Sequence, residues 1–77
     1  MHFIKLVGLK NPAAVRSHFA ACLVDVAGVT EISGEGATVE VDESIDLQDD
    51  SDRTWVTDLI RKELARCGES QTQIQIV

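Results

Sequence analysis

Several features on which common protein functions depend are scarce or missing in this sequence. Only seven of its 77 residues are Lys or Arg, against 13 Asp or Glu, and the formal net charge is −6. A phosphate backbone or an anionic membrane surface repels such a chain unless basic residues form a separate patch. Carboxylates are interleaved with the basic residues that do cluster, as on a solvated helix face. That cluster consists of Arg53, Arg61, Lys62 and Arg66. We therefore expect neither a nucleic-acid partner nor a membrane partner.

Long apolar runs and paired cysteines are also missing. No apolar run approaches the roughly 20 residues that a helix needs to cross a bilayer. The first seven residues are too short and too interrupted a stretch for a signal peptide. We therefore expect a cytoplasmic protein with reduced thiols. Cys22 and Cys67 have no CxxC or Cys/His ligand spacing around them, which predicts that both are small buried apolar residues.

The sequence carries no recognisable catalytic or ligand-binding signature. None of its serines stands in a nucleophile elbow. The Ser-Gly-Glu-Gly turn at residues 33–36 has no Lys and does not lead into a helix, so it is no phosphate cradle. The acidic run at residues 40–52 lacks the glycine turn and distal Glu of a calcium loop. We expect no enzymatic activity, no catalytic residue, no cofactor and no metal.

What the first half of the sequence does contain is a strand pattern followed by a helix pattern. Residues 2–9 carry apolar side chains on both faces, which is typical of a central strand. A helical apolar period follows and predicts a helix over residues 12–27. Asn11 is a suitable N-cap for this helix, and Gly28 stands where a left-handed C-terminal cap belongs.

The second half continues with two strands, a helix and a strand. Residues 29–32 and 37–42 predict strands joined by the glycine-containing turn. Acidic residues at 49–52 offer N-caps for a second helix, and Gly68 is its predicted stop. Residues 71–77 predict the last strand.

The order β-α-β-β-α-β predicts a single α+β domain over residues 1–77. Its economical packing is a ferredoxin-like, four-stranded antiparallel sheet with both helices on one face. The first and third strands are then central. Ile45 and Leu47 could extend the third strand or belong to an irregular connection. Trp55 is expected to cap the core, with a partner contact as the alternative.

The spacing of glycines and apolar residues resembles that of heavy-metal-associated domains. The first strand of that family ends in Gly-Met-x-Cys-x-x-Cys, and Gly8-Leu9 falls where Gly-Met stands. Val29 opens the second strand at about the family's distance. The second helix matches at Leu59, Ile60 and Gly68. The resemblance covers nearly the whole chain and implies the ferredoxin-like fold of small copper and mercury chaperones.

The metal-binding motif of that family is missing. Asn11 and Ala14 occupy its two cysteine positions, and Pro12 stiffens the loop that would wrap the ion. A Cu(I) or Zn(II) site of this kind needs thiolates, whereas Asn is a weak neutral donor and Ala donates nothing. The resemblance therefore implies a scaffold that has kept its shape and lost its metal ligands.

By elimination, we expect a small non-enzymatic domain that associates with another protein or with a second copy of itself. One face of the predicted sheet carries no helix, and the uncharged segment 72–77 forms its edge strand. The residues expected on this interaction surface are Phe3, Val7, Gln75 and Val77.

Two alternatives to an association domain stay open at this point. One is a metal carrier with an unusual site, either a His18–Cys22 pair on one helix turn or an intermolecular Cys67 site. The other is a small-ligand sensor that binds its ligand at a dimer interface.

Overall fold

The computed structural model describes residues 2–76, which form a βαββαβ chain. Its elements are β1 (His2–Val7), α1 (Pro12–Cys22), β2 (Ala27–Ser33), β3 (Gly36–Val41), α2 (Asp50–Arg66) and β4 (Gln73–Ile76). All strand pairs are antiparallel, and the order across the sheet is β2-β3-β1-β4. This α+β architecture is compatible with the ferredoxin-like fold. It confirms that the first and third strands are central and that the last strand lies at an edge.

Both helices begin at N-caps that the sequence predicts. The side-chain oxygen of Asn11 accepts a hydrogen bond from the backbone N–H of Ala14 at 3.2 Å, and Pro12 is the first helical residue. The carboxylate of Asp49 accepts from the backbone N–H of Asp52 at 3.0 Å. These bonds satisfy N–H groups that have no partner within the helix.

The C-terminal ends of the helices follow the prediction in one case only. α2 ends before Gly68, whose φ of +76° is the expected left-handed cap. α1 ends at Cys22 rather than at Ala27, because the chain turns and the N–H of Ala27 donates to the carbonyl of Leu23 at 2.9 Å. The apolar period continues past the end of the helix, since Leu23 in the turn and Ala27 at the start of β2 are both buried. Gly28, the predicted cap, is instead a residue of β2.

One layer of apolar side chains fills the space between the sheet and the two helices. Alternate residues of β1 and β3 point into this layer, where Ile4 pairs with Val39, and both are fully buried. The helix residues that meet them are Val15, Phe19, Val56, Ile60 and Leu64. Each such side chain contributes about 1.5–3 kcal/mol when it is fully buried. Both helices therefore pack on the same face of the sheet, as predicted.

The connection between β3 and α2 is irregular and closes one end of the core. Ile45 and Leu47 are buried there and lie outside any strand. Of the two alternatives that the sequence left open, they belong to an irregular connection and do not extend β3. Among residues 2–76, neither helix combines the length and the apolar character needed to span a membrane.

Candidate functional site

The loop between β1 and α1 carries Asn11 and Ala14, the two positions that the sequence resemblance aligned with metal ligands. Here the Asn11 side chain is used as a helix cap that holds the N–H of Ala14. Leu9 is buried, and its N–H donates to the carbonyl of Glu35 in the hairpin at 2.7 Å. The residues at the family's two ligand positions therefore serve the start of the helix.

A buried carboxylate fixes this loop from the other end of the chain. Glu69 is 3% exposed, and its carboxylate accepts hydrogen bonds from the backbone N–H of Lys10 at 2.9 and 3.0 Å and of Asn11 at 2.8 Å. The start of a helix attracts negative charge. Glu69 supplies that charge from within the molecule.

The end of α2 brings Glu69 to this position. The N–H of Glu69 donates to the carbonyl of Leu64 at 2.8 Å, and the N–H of Gly68 donates to the carbonyl of Ala65 at 3.1 Å. These two bonds are those of a Schellman motif, in which a left-handed glycine reverses the chain. The sequence predicted the glycine but not the role of the residue that follows it.

A second buried carboxylate joins the two helices. Glu63 is 6% exposed, and its Oε1 lies 2.7 Å from Nε2 of His18 on α1. Its Oε2 lies 3.5 Å from a guanidinium nitrogen of Arg66. The interpretation of the carboxylates among the basic cluster as part of a solvated helix face is wrong for Glu63, which is buried. Glu63 stands on the apolar side of α2, four residues after Leu59 and three after Ile60. A carboxylate on that side was the available signal.

The imidazole of His18 connects this carboxylate to a thiol. His18 and Cys22 lie one turn apart on α1, and Nδ1 of His18 lies 3.9 Å from Sγ of Cys22. A carboxylate only accepts hydrogen bonds when it is ionised, so the contact with an ionised Glu63 favours the His18 tautomer that carries its proton on Nε2. In the neutral ring, the lone pair of Nδ1 then faces the thiol. The three side chains thus form a relay of thiol, imidazole and carboxylate.

The same three residues bring together donor atoms that metals bind. The ligand atoms of His18, Cys22 and Glu63 all lie within 4.8 Å of one another. Because the carboxylate is bonded to the nitrogen that points away from the thiol, it orients the ring for a ligand at Nδ1. Of the atoms in this cluster of described residues, the thiol and Nδ1 are the two that could bind a metal directly.

The two cysteines differ in their surroundings. Cys22 is exposed, which corrects the expectation that it is a buried apolar residue. The cause is the early end of α1, which leaves its last residue at the surface. Cys67 is half-buried against the core. Burial raises the pKa of its thiol, and the negative charges of Glu63, Glu69 and Cys22 raise it further.

The predicted interaction surface lies on the face of the sheet opposite the helices. Phe3 pairs with Glu40, and Val7 pairs with Gln73, on the strand positions that alternate with the buried ones. Val7 is 41% exposed, Phe3 is half-buried, and Gln75 is exposed. Val77, the fourth predicted member, lies outside the described residues.

A shallow depression of about 450 Å³ lies along this open face. Its polar and charged lining includes Lys5, Thr38, Glu31 and Ser33, with Val7 beside them. The open face is therefore mixed in character, because the charged side chain of Lys5 stands between the apolar side chains of Phe3 and Val7 along β1.

Three further large apolar side chains are exposed among the described residues. Val24, in the turn after α1, is 73% exposed. Ile76 of β4 is 42% exposed, although it pairs with Ile4 on the face that carries the helices. Trp55 is 43% exposed. Trp55 was expected to cap the core, but its position on α2 leaves much of its side chain in solvent. That expectation is therefore wrong for the exposed part of the ring.

Comparison with family models, with curated proteins and with solved structures found no match to this chain. The strand order and the placement of both helices are the observations that support a ferredoxin-like architecture. The resemblance to heavy-metal-associated domains stays a prediction from the sequence.

Proposed function

We propose that this chain is a non-enzymatic protein–protein association domain that pairs through β4 and the adjoining open face of the sheet. We infer a scaffold shaped like a heavy-metal-associated domain, acting in the cytoplasm, where its two free cysteines are thiols at rest. The observation that carries the proposal is that β4 is an edge strand without a charged residue.

An edge strand presents backbone N–H and C=O groups that can pair with another strand. Proteins commonly prevent such pairing with charges, proline or bulges on the edge. The residues Gln73–Ile76 carry none of these protections. Among the described residues β4 pairs only with β1, so its other side is available for strand addition.

The open face adds apolar surface beside that edge. Val7 sits next to Gln73 in the register, and Lys5 sits next to Gln75. Strands added past β4 lie in the plane of the sheet, so pairing at this edge leaves the side chains of Lys5 and Val7 on an open face. Gln73 and Gln75 lie next to the added strand, and Val7 lies one strand further from it.

The partner that we propose is a second copy of the same chain. Antiparallel pairing of β4 with β4 across a two-fold axis places identical surfaces together. Net charge of the same sign opposes such contact in an acidic protein. The uncharged strand keeps like charges away from the axis itself, and the product is a continuous eight-stranded sheet.

Sedimentation velocity over a wide range of protein concentration tests this proposal. We expect the wild type to convert from monomer to dimer as the concentration rises. Gln75→Lys places two positive charges near the axis, so this variant should stay monomeric at concentrations where the wild type pairs. Val7→Lys places a charge on the open face one strand away from β4, and we expect it to weaken pairing less than Gln75→Lys does.

Gln48→Lys is the matched control, since it makes the same substitution at an exposed residue in the connection between β3 and α2. It should associate as the wild type does. Circular dichroism of each variant should show an unchanged fold. A wild type that is monomeric throughout, or a Gln75→Lys variant that associates normally, contradicts the proposal.

A further inference from the structure

The exposed thiol of Cys22 has chemistry that association does not use. We propose that Cys22 is a nucleophilic thiol, activated by His18 and positioned through Glu63, that exchanges with disulfides to form a mixed disulfide. This inference is independent of the surface at β4, because the cluster lies on the helix side of the sheet.

The geometry supplies the three parts that an activated nucleophile needs. The nucleophile is Sγ of Cys22, the base is Nδ1 of His18 at 3.9 Å, and the group that orients the base is the carboxylate of Glu63 at 2.7 Å from Nε2. Such contacts are often longer in a protein without substrate than in the reacting complex. A carboxylate behind the ring also stabilises the imidazolium that forms when the base accepts a proton.

The three side chains of the relay differ in their exposure to solvent, as a reaction with a disulfide from solution requires. Glu63 is buried, the side chain of His18 is 26% exposed, and Cys22 is exposed at the end of α1. The orienting group is therefore held within the packed layer while the reacting sulfur is open to a disulfide from solution. Among the described residues, two further titratable or charged groups lie beside this relay. They are Arg66, whose guanidinium lies 3.5 Å from Oε2, and Cys67, whose thiol interacts electrostatically with Glu63 and Cys22.

The exchange step balances without any further reactant. Nδ1 of His18 accepts the thiol proton, and the thiolate of Cys22 attacks one sulfur of the disulfide. A new S–S bond forms as the old one breaks, and the leaving sulfur takes the proton from His18. The sulfur of Cys22 is oxidised, and the leaving sulfur is reduced to a thiol. The disulfide supplies the oxidising equivalents.

A metal site on the same residues is the rival that the experiment must exclude. A zinc site usually has three or four protein ligands. Within residues 2–76 this cluster offers two, because Glu63 is bonded to the nitrogen of His18 that faces away from Cys22. An activated thiol needs only the base and its orienting group, and both are present.

The test measures the reaction of Cys22 with 2,2′-dithiodipyridine at pH 7, in a Cys67→Ala background that leaves a single thiol. Release of the thiopyridone gives the second-order rate constant. A positioned base typically contributes about 10²–10⁴-fold to such a step. We expect this rate constant to be at least about tenfold higher than that of the His18→Ala variant in the same background. This expectation lies below the typical range.

The positioning role of Glu63 is tested by two substitutions. Glu63→Ala removes the acceptor for Nε2–H and should reduce the rate nearly to that of His18→Ala. Glu63→Gln keeps an amide oxygen that accepts the same hydrogen bond, so it should recover part of the rate. Glu35→Gln, in the exposed hairpin turn, is the matched control and should react as the background does. Thermal denaturation verifies that each variant is folded.

Three results would overturn the proposal. The first is an equal rate with and without His18. The second is a folded protein that reacts no faster than the urea-unfolded chain, after correction for the effect of urea on a model thiol. The third is a rate that rises when a chelator is added, since the thiol would then have been a metal ligand.

Discussion

The carboxylate of Glu69 lies 2.8 Å from the backbone nitrogen of Asn11, although the two residues are 58 positions apart in the chain. This contact joins the end of α2 to the loop that precedes α1. The internal carboxylate of Glu69 holds this loop and stabilises the start of the first helix.

Replacing Glu69 with Gln should therefore destabilise the fold. The substitution removes the negative charge and leaves backbone N–H groups of Lys10 and Asn11 with a weaker acceptor in a part-buried site. Hydrogen bonds to charged groups contribute about 1.5–3 kcal/mol each, and they are not additive. We expect the free energy of unfolding to fall by roughly 2–4 kcal/mol in urea denaturation.

Glu35→Gln is the control for this experiment, because it makes the same change at an exposed carboxylate in the hairpin turn. Its unfolding free energy should stay within about 0.5 kcal/mol of the wild type. Equal stability of the two variants would mean that the contact of Glu69 with the loop contributes little.

The local signals in the sequence were enough for most of the fold. Asn11, Asp49 and Gly68 each act on backbone groups within five residues, so their roles as caps could be predicted from neighbouring residues. The edge position of β4 followed from the order of the elements. The end of α1 was missed because the buried residues of the following turn continue its apolar period.

The candidate site could be predicted only in part, for a physical reason. The spacing of His18 and Cys22 on one helix turn was visible in the sequence. The partner that orients His18 is Glu63, 45 residues away, and the partner of Asn11 is Glu69. Such contacts depend on how the helices pack and on how the chain reverses at Gly68. Neither is encoded in local spacing.

Gly36 lies where β3 approaches β1 closely, and this closeness predicts the effect of adding a methyl group. A Cβ at this position would come within 2.9 Å of the backbone oxygen of Leu6, which cannot move without disturbing the sheet. Overpacking of this kind typically costs about 1–3 kcal/mol. We expect Gly36→Ala to lower the free energy of unfolding by that amount.

Gly28→Ala is the matched comparison within the same sheet, because a Cβ there meets no atom within 4 Å. It should leave stability within about 1 kcal/mol of the wild type. If thermal denaturation finds both variants equally stable, the close approach at Gly36 is not a constraint on the fold.

Cys67 should react slowly with iodoacetamide at neutral pH. Burial raises the pKa of its thiol, and nearby negative charges act in the same direction. The thiolate is the reacting species, so the rate should rise at a higher pH than in the unfolded chain. A raised pKa in the folded state also means that stability decreases as the pH rises through that pKa.

The measurement should use a Cys22→Ser variant, so that Cys67 is the single thiol, between about pH 7 and pH 10. Glu63→Gln and Glu69→Gln each remove one of the charges and should shift the profile to lower pH. A profile that coincides with that of the unfolded protein would contradict the raised pKa.

Hydrogen–deuterium exchange at low and high protein concentration tests the proposed association most directly, because it locates the contact as well as detecting it. If β4 pairs with β4, the amides of Gln73–Ile76 that point away from β1 should exchange more slowly at high concentration. Those of α2 should be unaffected. In Gln75→Lys, the exchange of β4 should not depend on concentration. The account is contradicted if β4 of the wild type exchanges at the same rate at both concentrations. Protection that appears only in another element would contradict it as well.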